Sequence, residues 1–264
     1  MKAPREDARV VLRDRARIVL WAIGLTTAVQ AVGAFLQRNH VGAVVLQLVV
    51  TEFGVGRLGV AWSDPKAPEP SASAIARRIA RGAAIGASAG VVTLGALVSL
   101  HLASIEVDAP SMSTLFVGAV VATFAAARDE LLLRGLVLRA LGPTVSLPFR
   151  LGVTALAGGA AAWGAGASPI GIVAQLALAL AFTSLWIVDR GAWIATAAHA
   201  VLAILLGPVA SGGLIDVRTL SHATLDETPI ALVVFAGTAA YAVRLVLRAD
   251  ADATQKAGPK SDRK

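Results

Sequence analysis

Residues 129–135 read Asp-Glu-Leu-Leu-Leu-Arg-Gly and follow directly on an apolar run that begins near Ser113. Two carboxylates and an arginine in such surroundings either neutralise one another as a structural knot or form a site, because a charge at membrane depth costs roughly 2.5–3.5 kcal/mol even on a lenient insertion scale. On a helix Glu130 and Arg134 are four apart and share a face, which suits an ion pair. Asp129 is rotated from Glu130 by about 100°, so one arginine does not easily serve both carboxylates. The other is left for water, a metal or a histidine from a different helix, and a carboxylate in a partly dry place can act as a general base on water. Far along the chain His199 stands among Thr196, Ala197, Ala198 and Ala200. Taken alone it suits a packed core histidine, hydrogen-bonded across helices.

The elements that must position these residues follow from composition. With 56% hydrophobic and 16% charged residues the chain lies outside the soluble norm, and the expectation is an all-α integral membrane protein. Cysteine is absent, so disulfides, thiolate nucleophiles and Cys-based metal sites are excluded. The net charge of +7 is carried mainly by tails and loops beside apolar segments. That is the placement of anchors for anionic headgroups, and nucleic acid is not an expected partner.

A span needs about 20 apolar residues, and about eight stretches approach that length. They cover 18–36, 41–62, 80–103, 113–127 with a continuation through the charged cluster towards 141, 151–163, 170–188, 193–206 and 229–247. The stretch 151–163 is so rich in Ala and Gly that close helix packing suits it better than lipid contact. Residues 1–17, with Lys2, Arg5, Arg9, Arg13, Arg15 and Arg17, are expected to form a basic cytoplasmic tail rather than part of a cleaved signal. Helices in 18–110 then precede a core at 111–206. An outer loop and last helix fill 207–248, and a polar cytoplasmic tail fills 249–264. Lys and Arg at 77–81, 134–150, 190 and the C-terminal tail share one side, whereas Glu106, Asp108, Asp216, Asp226 and Glu227 fall on the other, which places both termini in the cytoplasm.

The segment 129–135 resembles the Glu-Glu-x-x-x-Arg motif of the CPBP intramembrane proteases, the group that includes CAAX prenyl proteases and bacterial Abi proteins. The run from Thr183 through Asp189-Arg190-Gly191 to His199 is similar to that family's apolar helix, charged Gly turn and histidine-bearing last helix. The resemblance covers 111–206 and implies a bacterial plasma-membrane protein with Asp129, Glu130, Arg134 and His199 as site residues. A motif carboxylate would activate water, Arg134 would hold the carboxylates, and His199 would polarise a carbonyl or assist proton transfer. The sequence departs from the family pattern in three places. Asp129 stands for a Glu, 157–167 contains neither the Phe nor the His of the middle motif, and Ala203 occupies the last-motif Asn or Asp position.

The expected function is therefore a CPBP-like endopeptidase acting on membrane-associated peptides, or a family member that has lost catalysis and binds a hydrophobic or lipidated peptide or a membrane protein. A small-solute transporter is a more distant alternative, because no repeated halves are visible. No tightly bound catalytic metal is expected, since His199, Asp129 and Glu130 fall short of the usual catalytic zinc set, and a loosely bound divalent ion stays compatible with the residues. The remaining polar groups have structural explanations. Glu52 and Arg57 are expected to form an ion pair, Gln30, Gln47 and Gln175 to bond between helices, and the five tryptophans to pack or anchor. His40, His101 and His222 are expected at turns or interfaces.

Overall fold

A computed structural model describes residues 4–65, 68–106, 111–220 and 224–257. Lys2, Asp108, His222, Lys260 and Lys264 lie outside the described residues. The described chain is helical: α1 Pro4–Phe35, α2 His40–Gly56, α3 Ala72–Ser99, α4 Met112–Asp129, α5 Val137–Leu141, α6 Leu147–Gly164, α7 Pro169–Asp189, α8 Trp193–Ile204 and α9 Pro229–Ala257. Two four-residue strands, β1 Ala103–Glu106 and β2 Asp216–Thr219, pair antiparallel with Ala103 opposite Thr219. Neither strand was foreseen, being too short for an alternating pattern to show.

Four helices are long and apolar enough to cross a membrane, at Arg13–Phe35, Ala72–Ser99, Pro169–Asp189 and Pro229–Ala251. The expectation of about eight spans is not sustained. Helix α2 has 17 residues and α8 has 12, and a 12-residue helix is only about 18 Å long against about 30 Å of hydrocarbon. Apolar runs in the sequence extended past the points where the helices stop, at Arg57 for α2 and at the widened turn Leu205–Val209 after α8. The expected tails are also partly helical. Helix α1 already begins at Pro4, and α9 continues to Ala257.

Contacts sort the helix ends into two groups. At one end, Arg15 donates to the Leu141 carbonyl, Arg139 to the Leu58 carbonyl, and Arg78 pairs with Asp189 at 3.2 Å. At the other end lie β1 and β2, and the Ser168 amide donates to Glu227 at 3.1 Å beside the start of α9.

The close approach of α3 to α8 depends on small residues. A Cβ at Gly82 would meet the Ile194 carbonyl, and one at Gly86 the Ala198 carbonyl, so only glycine lets the two backbones touch along this line. Helix α6 seats on α7 in the same way, with Gly158 against Ala179, in accord with the packing role expected of its Ala- and Gly-rich sequence. The main core joins Leu131, Phe182, Leu185, Trp186, Ala195, Ala198 and Phe235 from α7, α8, α9 and the segment following α4. Phe35, Phe53, Phe116, Trp163 and Val233 remain exposed on the outside, the distribution a lipid-facing surface requires.

Candidate functional site

Helix α4 does continue through the charged cluster to Leu141, but as a wider helix. Residues Glu130–Leu136 form a π-helical segment between α4 and α5, a departure that tends to occur at functional sites. Gly135 sits where a Cβ would collide with Val60 and Trp186, which lets this segment lie against α7. Glu130, the first residue of the segment, is fully buried, and Arg134 is 3% exposed.

Two side chains converge on one carboxylate oxygen of Glu130. Glu130 Oε1 lies 3.3 Å from Arg134 Nη1 and 3.0 Å from His199 Nδ1. In the tautomer with its hydrogen on Nδ1, His199 donates to this oxygen. Below both groups lies Phe182 of α7. Its ring stacks on the His199 imidazole with centroids 4.9 Å apart and planes 17° apart, and the Arg134 guanidinium lies 5.6 Å from its centroid. Such contacts attract through the negative face of the ring. Glu130 Oε2 and Arg134 Nε are buried without a hydrogen-bond partner.

The turn between α7 and α8 determines where His199 falls. Arg190 adopts a left-handed conformation with φ of 52°, which reverses the chain. Asp189 then caps α8 by accepting from the Ile194 amide at 3.2 Å while its other oxygen holds Arg78 of α3. The Ala192 amide donates to the Trp62 carbonyl, and Trp193 Nε1 donates to Ser63 Oγ. His199 is thereby fixed one and a half turns into a helix anchored at both its cap and its glycine-lined flank.

Of the four expected site residues, the structure brings together Glu130, Arg134 and His199. Asp129 does not join them. Its carboxylate is held at 2.7 Å by both Nε and Nη2 of Arg128, and Arg128 reaches on to Gln47 Oε1 at 2.6 Å. Gln47 in turn donates to the Val29 carbonyl of α1 and so supplies the interhelical bonding expected of it. The predicted Glu52–Arg57 pair is absent: Glu52 accepts from Trp62 Nε1, and Arg57 lies over the Phe53 ring. On a 17-residue helix that ends at Gly56, Arg57 is already outside and free to turn back. Arg128 and Phe182 were not singled out from the sequence. The adjacency of Arg128 to Asp129 was a signal for the first, whereas nothing in the sequence marks Phe182 among the apolar residues of α7.

Among the described residues no three His, Asp or Glu side chains gather as a metal set. The position four after His199 is Ala203, on α8, and α6 presents Ala and Gly where a second histidine would stand. No protein-family model matches the chain, and neither a curated protein nor a solved structure does.

Proposed function

We propose that this chain is an integral membrane protein of the CPBP type in which Glu130 and His199 form the catalytic pair of a peptide hydrolase. The observation that carries the reading is the 3.0 Å contact of a fully buried carboxylate with a histidine 69 residues away. Glu130 fixes the imidazole in the tautomer whose Nε2 lone pair is free, the role a buried carboxylate plays behind a catalytic histidine. Arg134 Nη1 supplies the same carboxylate oxygen with a cationic partner at 3.3 Å. The His199 side chain is 23% exposed whereas Glu130 is fully buried, so the imidazole is the part of the pair that a reactant can reach.

Hydrolysis then runs as two proton transfers. His199 Nε2 takes a proton from water as the water oxygen bonds to the peptide carbonyl carbon. The same proton passes to the amide nitrogen as the carbon–nitrogen bond breaks, leaving an acid and an amine. This assigns the base to His199 and makes Glu130 the residue that orients it. The placement of Arg15, Arg78, Arg139 and Arg190 at one end supports a topology with both termini in the cytoplasm.

A second reading keeps the scaffold without catalysis, binding a hydrophobic peptide or membrane partner. Ala203 and the apolar α6 favour it, because no donor for a developing oxyanion stands at the family's positions. New protein N-termini separate the two. Membranes expressing wild type are compared with membranes holding His199→Ala or Glu130→Ala at matched abundance. Cleavages lost with both variants support hydrolysis; identical profiles from folded proteins sink it in favour of the scaffold.

A further inference from the structure

Helices α3 and α9, both long and apolar enough to cross a membrane, flank a groove of about 610 Å³. Helix α3 leaves the basic end of the bundle at Arg78, and α9 starts at the opposite end beside Glu227, so the two run antiparallel. Arg81 and Tyr241 therefore border the groove at its basic end, and Val92 and Val234 border it deeper in the membrane. Between them lie the small residues Ala84, Ser88 and Gly237, and Thr238, whose hydroxyl is engaged by the Val234 carbonyl. Ala84, Val92, Gly237 and Tyr241 are exposed, so the groove opens to the outside of the bundle.

The length and depth of the groove fit one lipid tail. Arg81 and Val92 are eleven residues apart, about 16 Å of helix against roughly 15 Å for one leaflet of hydrocarbon. About 20 residues cross the whole hydrocarbon, and counted back from Ser99 they end at Ala80. Arg81 thus stands at headgroup depth, where a long basic side chain reaches the interface.

Charge distinguishes the occupant. Arg77 precedes Arg81 by one turn and Arg244 follows Tyr241 by three residues, and all three arginines are exposed. Among the described residues no carboxylate lies within ion-pair distance of any of them. Asp189, on which Arg81 acts at longer range, is already held by Arg78 and the Ile194 amide. Neither α3 nor residues 229–249 of α9 contain an Asp or Glu, so a second copy docked on this face would set arginine against arginine.

We propose that this groove binds an anionic phospholipid from the leaflet at the basic end, with one acyl chain along α3 and α9 and the phosphate accepting from Arg81 and the Tyr241 hydroxyl. Basic pockets between spans recognise such headgroups. A zwitterionic lipid brings its own cation beside the phosphate and meets the arginines less well. The assignment is independent of hydrolysis at Glu130 and His199.

The test uses the full chain in phosphatidylcholine nanodiscs with a trace of phosphatidylglycerol carrying a photoreactive group in mid-chain, and maps the labels by mass spectrometry. Labels are expected within 84–92 and 234–238, displaced by unlabelled phosphatidylglycerol against the phosphatidylcholine background. Arg81→Gln is expected to weaken half-maximal labelling about fivefold, the effect of one basic residue at a membrane surface, and Arg81→Lys to keep most of it. A Cβ at Gly237 meets open space, so Gly237→Leu fills the groove without forcing the backbone and is expected to remove the labels on α3. Helical circular dichroism verifies that each variant is folded. Equal labelling by a phosphatidylcholine probe with the same chains, indifference to both Arg81→Gln and Gly237→Leu, or labels spread evenly over α1 and α7 would overturn the site. Cross-links joining two copies through α3 and α9 would give the groove to a second copy and overturn it as well.

Discussion

The ring of Phe182 lies parallel to the imidazole of His199, 4.9 Å away, and also beneath the Arg134 guanidinium, so one apolar side chain on α7 supports both groups that bond Glu130. Replacing it with leucine keeps the volume class but removes the π face. Beyond lost area, such a ring contact is worth about 0.5–1.5 kcal/mol. Phe182→Leu is expected to lower the unfolding free energy in detergent by that order and to reduce hydrolysis more than stability, because His199 loses the surface that orients it. Retention of full cleavage in the variant would remove Phe182 from the site.

Glu130 and Arg134 form an almost dry ion pair, and the two single substitutions should behave differently from the double. Removing one partner of a buried pair leaves an uncompensated charge and typically costs about 3–5 kcal/mol, whereas replacing both with apolar residues is often near neutral. Arg134→Met is therefore expected to destabilise strongly, and Glu130→Leu with Arg134→Met to recover most of the loss while abolishing cleavage. Denaturant titration in mixed micelles reads the first quantity and the N-terminal comparison the second. A double variant as unstable as the single one would mean that the pair supports the fold through something other than charge compensation.

How far the sequence carries the reader depends on the range of each interaction. The spacing of Glu130 and Arg134 is local, and their pairing follows from helix geometry alone. The meeting of Glu130 with His199 came only through the resemblance to a known motif order, because a contact across 69 residues leaves no mark in periodicity. The π-helical widening at Glu130 was invisible, since its residues continue the same apolar pattern as α4. Helix ends misled in another way. Hydropathy varies smoothly through Arg57 and Leu205, while the backbone stops or widens there, so eight apolar stretches yielded four helices of crossing length. Gly82 and Gly86 looked like ordinary residues of an apolar helix, and their purpose is set by carbonyls more than 100 residues later.

Asp129 is expected to be the mild member of the charged cluster. Its side chain is 30% exposed and its partner Arg128 is its own neighbour, and partly exposed pairs of this kind contribute about 0–1 kcal/mol. Asp129→Ala should change stability within that range and leave most cleavage intact, in contrast to the loss expected of Glu130→Ala. The two alanine variants, assayed side by side for His199-dependent cleavage, decide which carboxylate serves the site. Equal losses would return Asp129 to it.

Gly86 tests whether the site depends on how closely α8 is held. Its missing side chain faces the Ala198 carbonyl directly beside His199, so a larger residue must push α8 outward or unwind it. Overpacking of this kind costs about 1–3 kcal/mol, and a displacement near 1 Å at a reacting group can reduce a rate by about a hundredfold. Gly86→Val is therefore expected to retain insertion and most of the helical circular dichroism while nearly eliminating cleavage. Gly95→Val, on the same helix with open space where its Cβ would point, serves as the control and should be silent in both measurements. The same loss from both substitutions would show that α3 tolerates no bulk anywhere, and would detach the activity from the α3–α8 contact.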